Sequence, residues 1–124
     1  MNEKEKSYDL SKRTVLFGES IIILCKGVKL DNINKPIINQ LVRSGTSIGA
    51  NYCEANNASS KKDFTNKIFI CKKESQETKY WLQMLVGCNP EKKDEVRIIW
   101  KECHELTMIF QKIINTATRG KIKN

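Results

Sequence analysis

Phe64-Thr-Asn-Lys-Ile-Phe-Ile-Cys-Lys-Lys-Glu-Ser-Gln-Glu-Thr-Lys-Tyr-Trp-Leu-Gln-Met-Leu85 decides the fold. Within it Phe64, Ile68, Cys71, Ser75, Thr78, Leu82 and Leu85 recur at alternating steps of four and three residues. That rhythm keeps one face of an α-helix turned towards a partner helix, whereas a strand alternates with period two. The stretch therefore predicts a bundle helix. The same rhythm returns without a slip in Val96, Ile99, Cys103, Leu106, Phe110, Ile113 and Ala117.

Working outward, Ile37, Leu41, Gly45, Ile48, Tyr52 and Ala55 form a helical face before this stretch. Gly45 and Gly49 each cost about 1 kcal/mol of helix propensity against Ala, so two glycines one turn apart predict close backbone approach. A phosphate-cradling loop is excluded, because no strand precedes them and no Gly-Lys-Ser/Thr follows. Still earlier, Val15, Leu16, Phe17, Ile21, Ile22, Ile23 and Leu24 are more apolar than one buried stripe requires. Such a helix is either central or covered by a second subunit.

The punctuation gives the domain plan. Pro36 suits a first helical turn, and Pro90 falls where one pattern stops and the next begins. Ser11 or Asp9 is the expected cap of the first helix, and Ser60 with Asp63 resembles a capping box. Gly87 and Gly120 are expected as C-terminal stops. The expectation is all-α: a single antiparallel up-down four-helix-bundle domain over 1–124, with helices over about 10–28, 36–55, 60–86 and 92–118 and short frayed termini.

Lys and Arg total 22 against 14 Asp and Glu, a formal net charge of +8. That balance fits either a merely soluble surface or attraction to RNA, DNA or an acidic protein face. Five cysteines lack CxxC spacing, so neither a disulfide framework nor structural zinc is expected. The N-terminus is charged, and Ile21-Ile-Ile-Leu-Cys25 is far short of the roughly 20 residues a membrane span needs. A cytoplasmic protein without cofactor, metal or membrane partner is expected.

The chemistry-bearing residues are sparse. A di-iron bundle needs Glu from two helices and Glu-x-x-His from two others, but His104 is the single histidine and Lys101 stands three before it. His104 beside Cys103 is no nucleophile–base pair, because adjacent helical residues point about 100° apart. His104 is expected on a polar surface flank, and no enzyme is expected. Arg43, Ser47, Asn51 and Glu54 line one face of the second helix, with Glu74 a possible partner for Arg43. Packing or recognition would each explain that stripe. Lys61, Lys72 and Lys79 share one flank of the third helix, while Lys62 and Lys73 share another with Tyr80. Lysines beside an aromatic suit backbone-directed nucleic-acid binding, and Lys112, Arg119, Lys121 and Lys123 extend the basic field.

At Gln40-Leu-Val-Arg-Ser-Gly-Thr-Ser-Ile-Gly-Ala-Asn-Tyr52 and Glu54-Ala55 the chain resembles a known bacterial four-helix-bundle family. The founding members of that family are encoded by intervening sequences within 23S ribosomal RNA genes. The likeness continues through Ser60-Lys-Lys-Asp-Phe64, Lys67, Lys73-Glu74 and Glu77-Thr-Lys-Tyr-Trp-Leu82, and more weakly Glu102 and Glu105-Leu106. The resemblance implies an up-down bundle assembling into a ring-like homopentamer. A related branch, the accessory variability protein of diversity-generating retroelements, is a basic pentamer that binds nucleic acid and a reverse transcriptase.

The expectation is thus a non-enzymatic basic homo-oligomer binding structured RNA or other nucleic acid, with Lys61, Lys72, Lys73 and Lys79 on phosphates. Arg43, Ser47, Asn51, Glu54 and Glu74 are assigned to structure or the subunit interface. The alternative is a protein-interaction scaffold or accessory subunit, for example of a reverse transcriptase, docking an acidic partner.

Overall fold

Four helices carry the chain: α1 (Glu3–Lys26), α2 (Asn34–Asn56), α3 (Lys61–Cys88) and α4 (Lys93–Ile122), with one 3₁₀ turn at Pro90–Lys92 before α4. The computed structural model describes the backbone of residues 3–122 and the side chains of residues 10–119, and no strand occurs among the described residues. No helix among them is long and apolar enough to cross a membrane.

The seam of α3 turns inward as its spacing requires. Ile68, Cys71, Ser75, Thr78, Leu82 and Leu85 are fully shielded, with Phe64 half-buried at the start. They meet Leu41, Ile48 and Tyr52 of α2, Cys103, Leu106 and Phe110 of α4, and Phe17, Ile21 and Leu24 of α1 in one core. The small polar residues inside this seam are all bonded. The Thr78 hydroxyl donates to Ser44 Oγ at 2.9 Å, and Ser75 Oγ shares a hydrogen with Thr107 Oγ1 at 2.8 Å. These bonds tie α3 to both neighbours, and no buried side-chain N or O among the described residues lacks a partner. Satisfied hydroxyls avoid the roughly 1–3 kcal/mol cost of an orphaned buried group.

The cysteines divide by depth. Cys25, Cys71 and Cys103 are buried, while Cys53 and Cys88 are exposed. Burial pushes the Cys25 thiol up to about 11 and those of Cys71 and Cys103 up to about 12. Protonated at neutral pH, these three act as small apolar residues. No group of three or more His, Cys, Asp or Glu among the described residues could hold a metal ion.

The helix ends correct several expectations. The first helix begins at Glu3 rather than Leu10, so Asp9 and Ser11 lie inside it rather than at its start. The Glu- and Lys-rich lead-in is made of good helix formers and gives no reason to stop. It also ends at Lys26, two residues before Val28. The second helix starts at Asn34, two residues before Pro36, because Asp31 holds the turn. Asp31 Oδ1 accepts from the Ile33 N–H at 3.0 Å and the Asn34 N–H at 2.7 Å.

Ser60 caps α3, accepting from the Asp63 N–H at 3.0 Å. Gly87 is not its stop. The helix continues to Cys88, and none of the described glycines has positive φ. Pro90 ends it instead, because proline drives the preceding residue out of helical geometry, and Asn89 sits at φ −134, ψ 71. Gly120 likewise lies within α4, which runs to Ile122 rather than 118. Asn89 also joins two loops: its Nδ2 donates to Asn34 Oδ1 at 2.9 Å, and Asn34 Nδ2 donates back at 3.2 Å.

Close approach explains the glycines of α2. A Cβ on Gly45 would lie 2.8 Å from Ile21 Cγ1, and one on Gly49 would lie 3.2 Å from the Thr14 carbonyl oxygen. Gly87, by contrast, has nothing within 4 Å. Gly45→Ala is therefore expected to destabilise, since overpacking of about 1–3 kcal/mol outweighs the roughly 1 kcal/mol of helix propensity gained. Gly87→Ala is expected to stabilise by up to about 1 kcal/mol. Urea midpoints read both signs, and equal shifts in one direction would contradict the packing argument.

Candidate functional site

The polar stripe of α2 finds its partners within the chain, in part on α3 and in part along α2 itself. Arg43 Nη1 lies 3.1 Å from Glu74 Oε2, Nη2 pairs with Glu77, and Nε donates to Gln40 Oε1 at 3.1 Å. The Trp81 indole N–H donates to the same Glu77 oxygen at 3.1 Å. One turn on, Asn51 Nδ2 donates to the Ser47 carbonyl at 2.9 Å and contacts Ser47 Oγ at 3.2 Å. Glu54 completes the row, 3.7 Å from Lys67 Nζ. Arg43, Glu54 and Glu74 thus take part in ion pairs between α2 and α3, whereas Ser47 and Asn51 bond to each other along α2.

A second ion pair ties α1 to α4. Arg13 Nε and Nη2 donate to the two oxygens of Glu102 at 3.0 and 2.6 Å, and Nη2 lies 3.5 Å from Glu105. Two parallel bonds of this kind fix orientation as well as charge. Glu102 and Glu105 carried part of the family resemblance, but Arg13 was not foreseen. Its partners lie far along the chain, where spacing gives no signal.

These pairings sort the charges of α3 by side. Its acids are Asp63, Glu74 and Glu77. At about 100° per residue they fall on the α2 side. Lys61, Lys72 and Lys79 stand on roughly the opposite side, towards α4, with Lys62, Lys73 and Tyr80 facing solvent between. Among the described residues none of Lys61, Lys62, Lys72 and Lys73 is paired with a carboxylate. By helical position Lys61, Lys72 and Lys79 share one flank of α3 and Lys73 the adjoining one, and Lys79 is engaged differently from the others. Its Nζ lies 3.2 Å from His104 Nδ1 and 5.3 Å from the centre of the Trp100 ring. His104 is exposed, on the polar flank where its position in the helix suggested.

Of the C-terminal basic cluster, Lys112 and Arg119 are exposed, while the side chains of Lys121 and Lys123 lie outside the described residues. The apolar excess of α1 has a different location. Val15, Leu16 and Ile23 are more than half exposed, as is Ile98 of α4. Ser20, Ile23, Leu24, Glu95, Ile98 and Ile99 line a shallow groove of about 230 Å³ between these helices.

The Arg43 seam makes a direct prediction. Arg43→Ala leaves Glu74, a largely buried carboxylate, without its cation. Because Arg43 is itself half exposed, the expected loss is about 1–2 kcal/mol in urea unfolding. Adding Glu74→Gln should recover part of it. No loss on Arg43→Ala, or a further loss in the double variant, would contradict the role given to this pair.

The comparisons agree with this architecture. The family described as 23S rRNA-intervening sequence protein matches residues 6–112. The chain is similar to a Bacteroides thetaiotaomicron protein with unknown function from the S23 ribosomal protein family, solved as a crystal structure. Identity is 33%, covering 84% of this chain and 96% of that one, with a TM-score of 0.74. No curated protein matches it. With most of its length matched, the chain belongs to the 23S rRNA-intervening sequence protein family.

Proposed function

We propose that this protein is a non-enzymatic, cytoplasmic homo-oligomer that binds structured RNA or another nucleic acid. The observation that carries this reading is the sidedness of α3. Arg43 and Lys67 answer the acids of the α2–α3 seam, while Lys61, Lys62, Lys72 and Lys73 have no carboxylate partner among the described residues. Unpaired lysines along one surface attract a phosphate backbone and release its counterions. Lys61, Lys72, Lys73 and Lys79 are the proposed contacts.

Assembly strengthens the field. Val15, Leu16, Ile23 and Ile98 expose an apolar surface of the kind a second copy covers. Ile98 lies two residues from Trp100, so at about 100° per residue the two face different ways. Subunit packing there leaves the lysine surface open. The proposed assembly is a ring-like homopentamer of up-down bundles, which multiplies a charge of +8 by its copy number.

Binding of nuclease-treated protein to RNA and DNA, measured against salt, tests the reading. The expected result is an assembly of five times 14.3 kDa by light scattering, whose affinity falls along a steep log–log slope. Lys72→Glu with Lys73→Glu should weaken binding at least tenfold, with each lost phosphate contact flattening the slope by roughly 0.7–0.9. No binding at low salt by an intact assembly would overturn the reading and point to an acidic protein partner.

A further inference from the structure

The tryptophans of this chain have different occupations. Trp81 is half-buried, and its indole N–H is held by Glu77 at 3.1 Å. Trp100 stands at the surface, 36% exposed, and among the described residues its N–H has no acceptor. What it has is a ring neighbour. His104, one turn further along α4, stacks against it with centroids 5.3 Å apart and ring planes 9° from parallel. Neither ring plugs the core, which is filled on that side of α4 by Cys103, Leu106, Thr107 and Phe110.

Lys79 of α3 completes the arrangement from across the helix pair. Its ammonium can only donate, so at 3.2 Å from Nδ1 it makes that nitrogen the acceptor and leaves the ring proton on Nε2. The same ammonium lies 5.3 Å from the Trp100 centroid, within cation–π range. The outcome is two parallel rings, an adjacent cation and two N–H donors, on Trp100 and His104, that have no acceptor among the described residues. Lys72 stands two turns before Lys79 on the same flank of α3, roughly 10 Å along the axis.

We infer that Trp100 and His104 form a stacking platform for an unpaired nucleobase, so that the lysine surface takes single-stranded rather than fully paired nucleic acid. This rests on the nucleic-acid reading above and narrows it. A bare lysine surface attracts duplex and single strand alike. An exposed aromatic pair adds affinity only where the base is not already stacked inside a helix. The N–H donors suit phosphate or base-edge oxygens, and Lys72 with Lys73 provides the flanking backbone contacts.

Fluorescence anisotropy with intact protein tests this, using labelled unstructured 12-mers in ribose and deoxyribose form and a fully paired, blunt-ended duplex of 12 base pairs as a control. Wild type is expected to prefer the unstructured strands, and the better of the two sugars identifies the source. Trp100→Ala should weaken single-strand binding about tenfold while leaving binding of the duplex unchanged. Trp100→Phe, which keeps a ring, should retain most of the affinity. Lys72→Glu with Lys73→Glu should weaken both ligands, and thermal melting of each variant reads its folding. If Trp100→Ala leaves single-strand binding intact, or lowers both ligands by the same factor in folded protein, the platform is overturned and the basic-surface reading stands. If wild type binds neither ligand at low salt, the basic-surface reading fails and takes the platform with it.

Discussion

The arrangement of this molecule turns on the ion pairs that Arg43 makes with Glu74 and Glu77 across α2 and α3. They do two things at once. They align the helices on either side of the Ser44–Thr78 bond, and they commit acids of α3 to a seam. A helix with its carboxylates drawn to one side presents unneutralised lysines on the other. The charge asymmetry of the surface is thus a consequence of internal packing. The strength of an exposed ion pair is modest, but Glu74 is nearly buried, and a carboxylate there cannot be left alone without cost.

The opposite edge of the molecule has the complementary character. Where α1 meets α4, the polar link is Arg13 with Glu102 and Glu105, and the surface around it is apolar. Val15, Leu16, Ile23 and Ile98 are exposed there in numbers that a lone surface helix does not need. One edge exposes apolar residues and the other charged ones, and α4 borders both, with Ile98 on one flank and Trp100 on the other.

Much of the fold was legible in the chain. The three-four spacing of Phe64 to Leu85 and of Val96 to Phe110 followed the buried face, because a helix that packs on a partner must repeat it. Beyond Phe110 the buried residue is Ile114 rather than the expected Ile113, and Ala117 is only half-buried. Gly45 and Gly49 announced the approach of Ile21 and Thr14. Helix ends were less legible. Gly87 and Gly120 read as stops from composition, yet helical glycine is tolerated, and Pro90 was the stronger terminator. Asp31 was passed over because its cap acts from outside the helical pattern. The Trp100–His104–Lys79 group was also missed in part: a Trp and His one turn apart is a visible signal, but Lys79 reaches them only through the α3–α4 packing. Arg13 depended likewise on a contact between the first and last helices.

The most direct measurement is a lysine acylation footprint of the intact assembly with and without bound RNA. Lys61, Lys72, Lys73 and Lys79 are expected to lose reactivity on binding, while Lys12, Lys26 and Lys29 keep theirs. Protection of the second group with continued reactivity of the first would contradict it, placing the nucleic acid on a surface other than the lysine flank of α3.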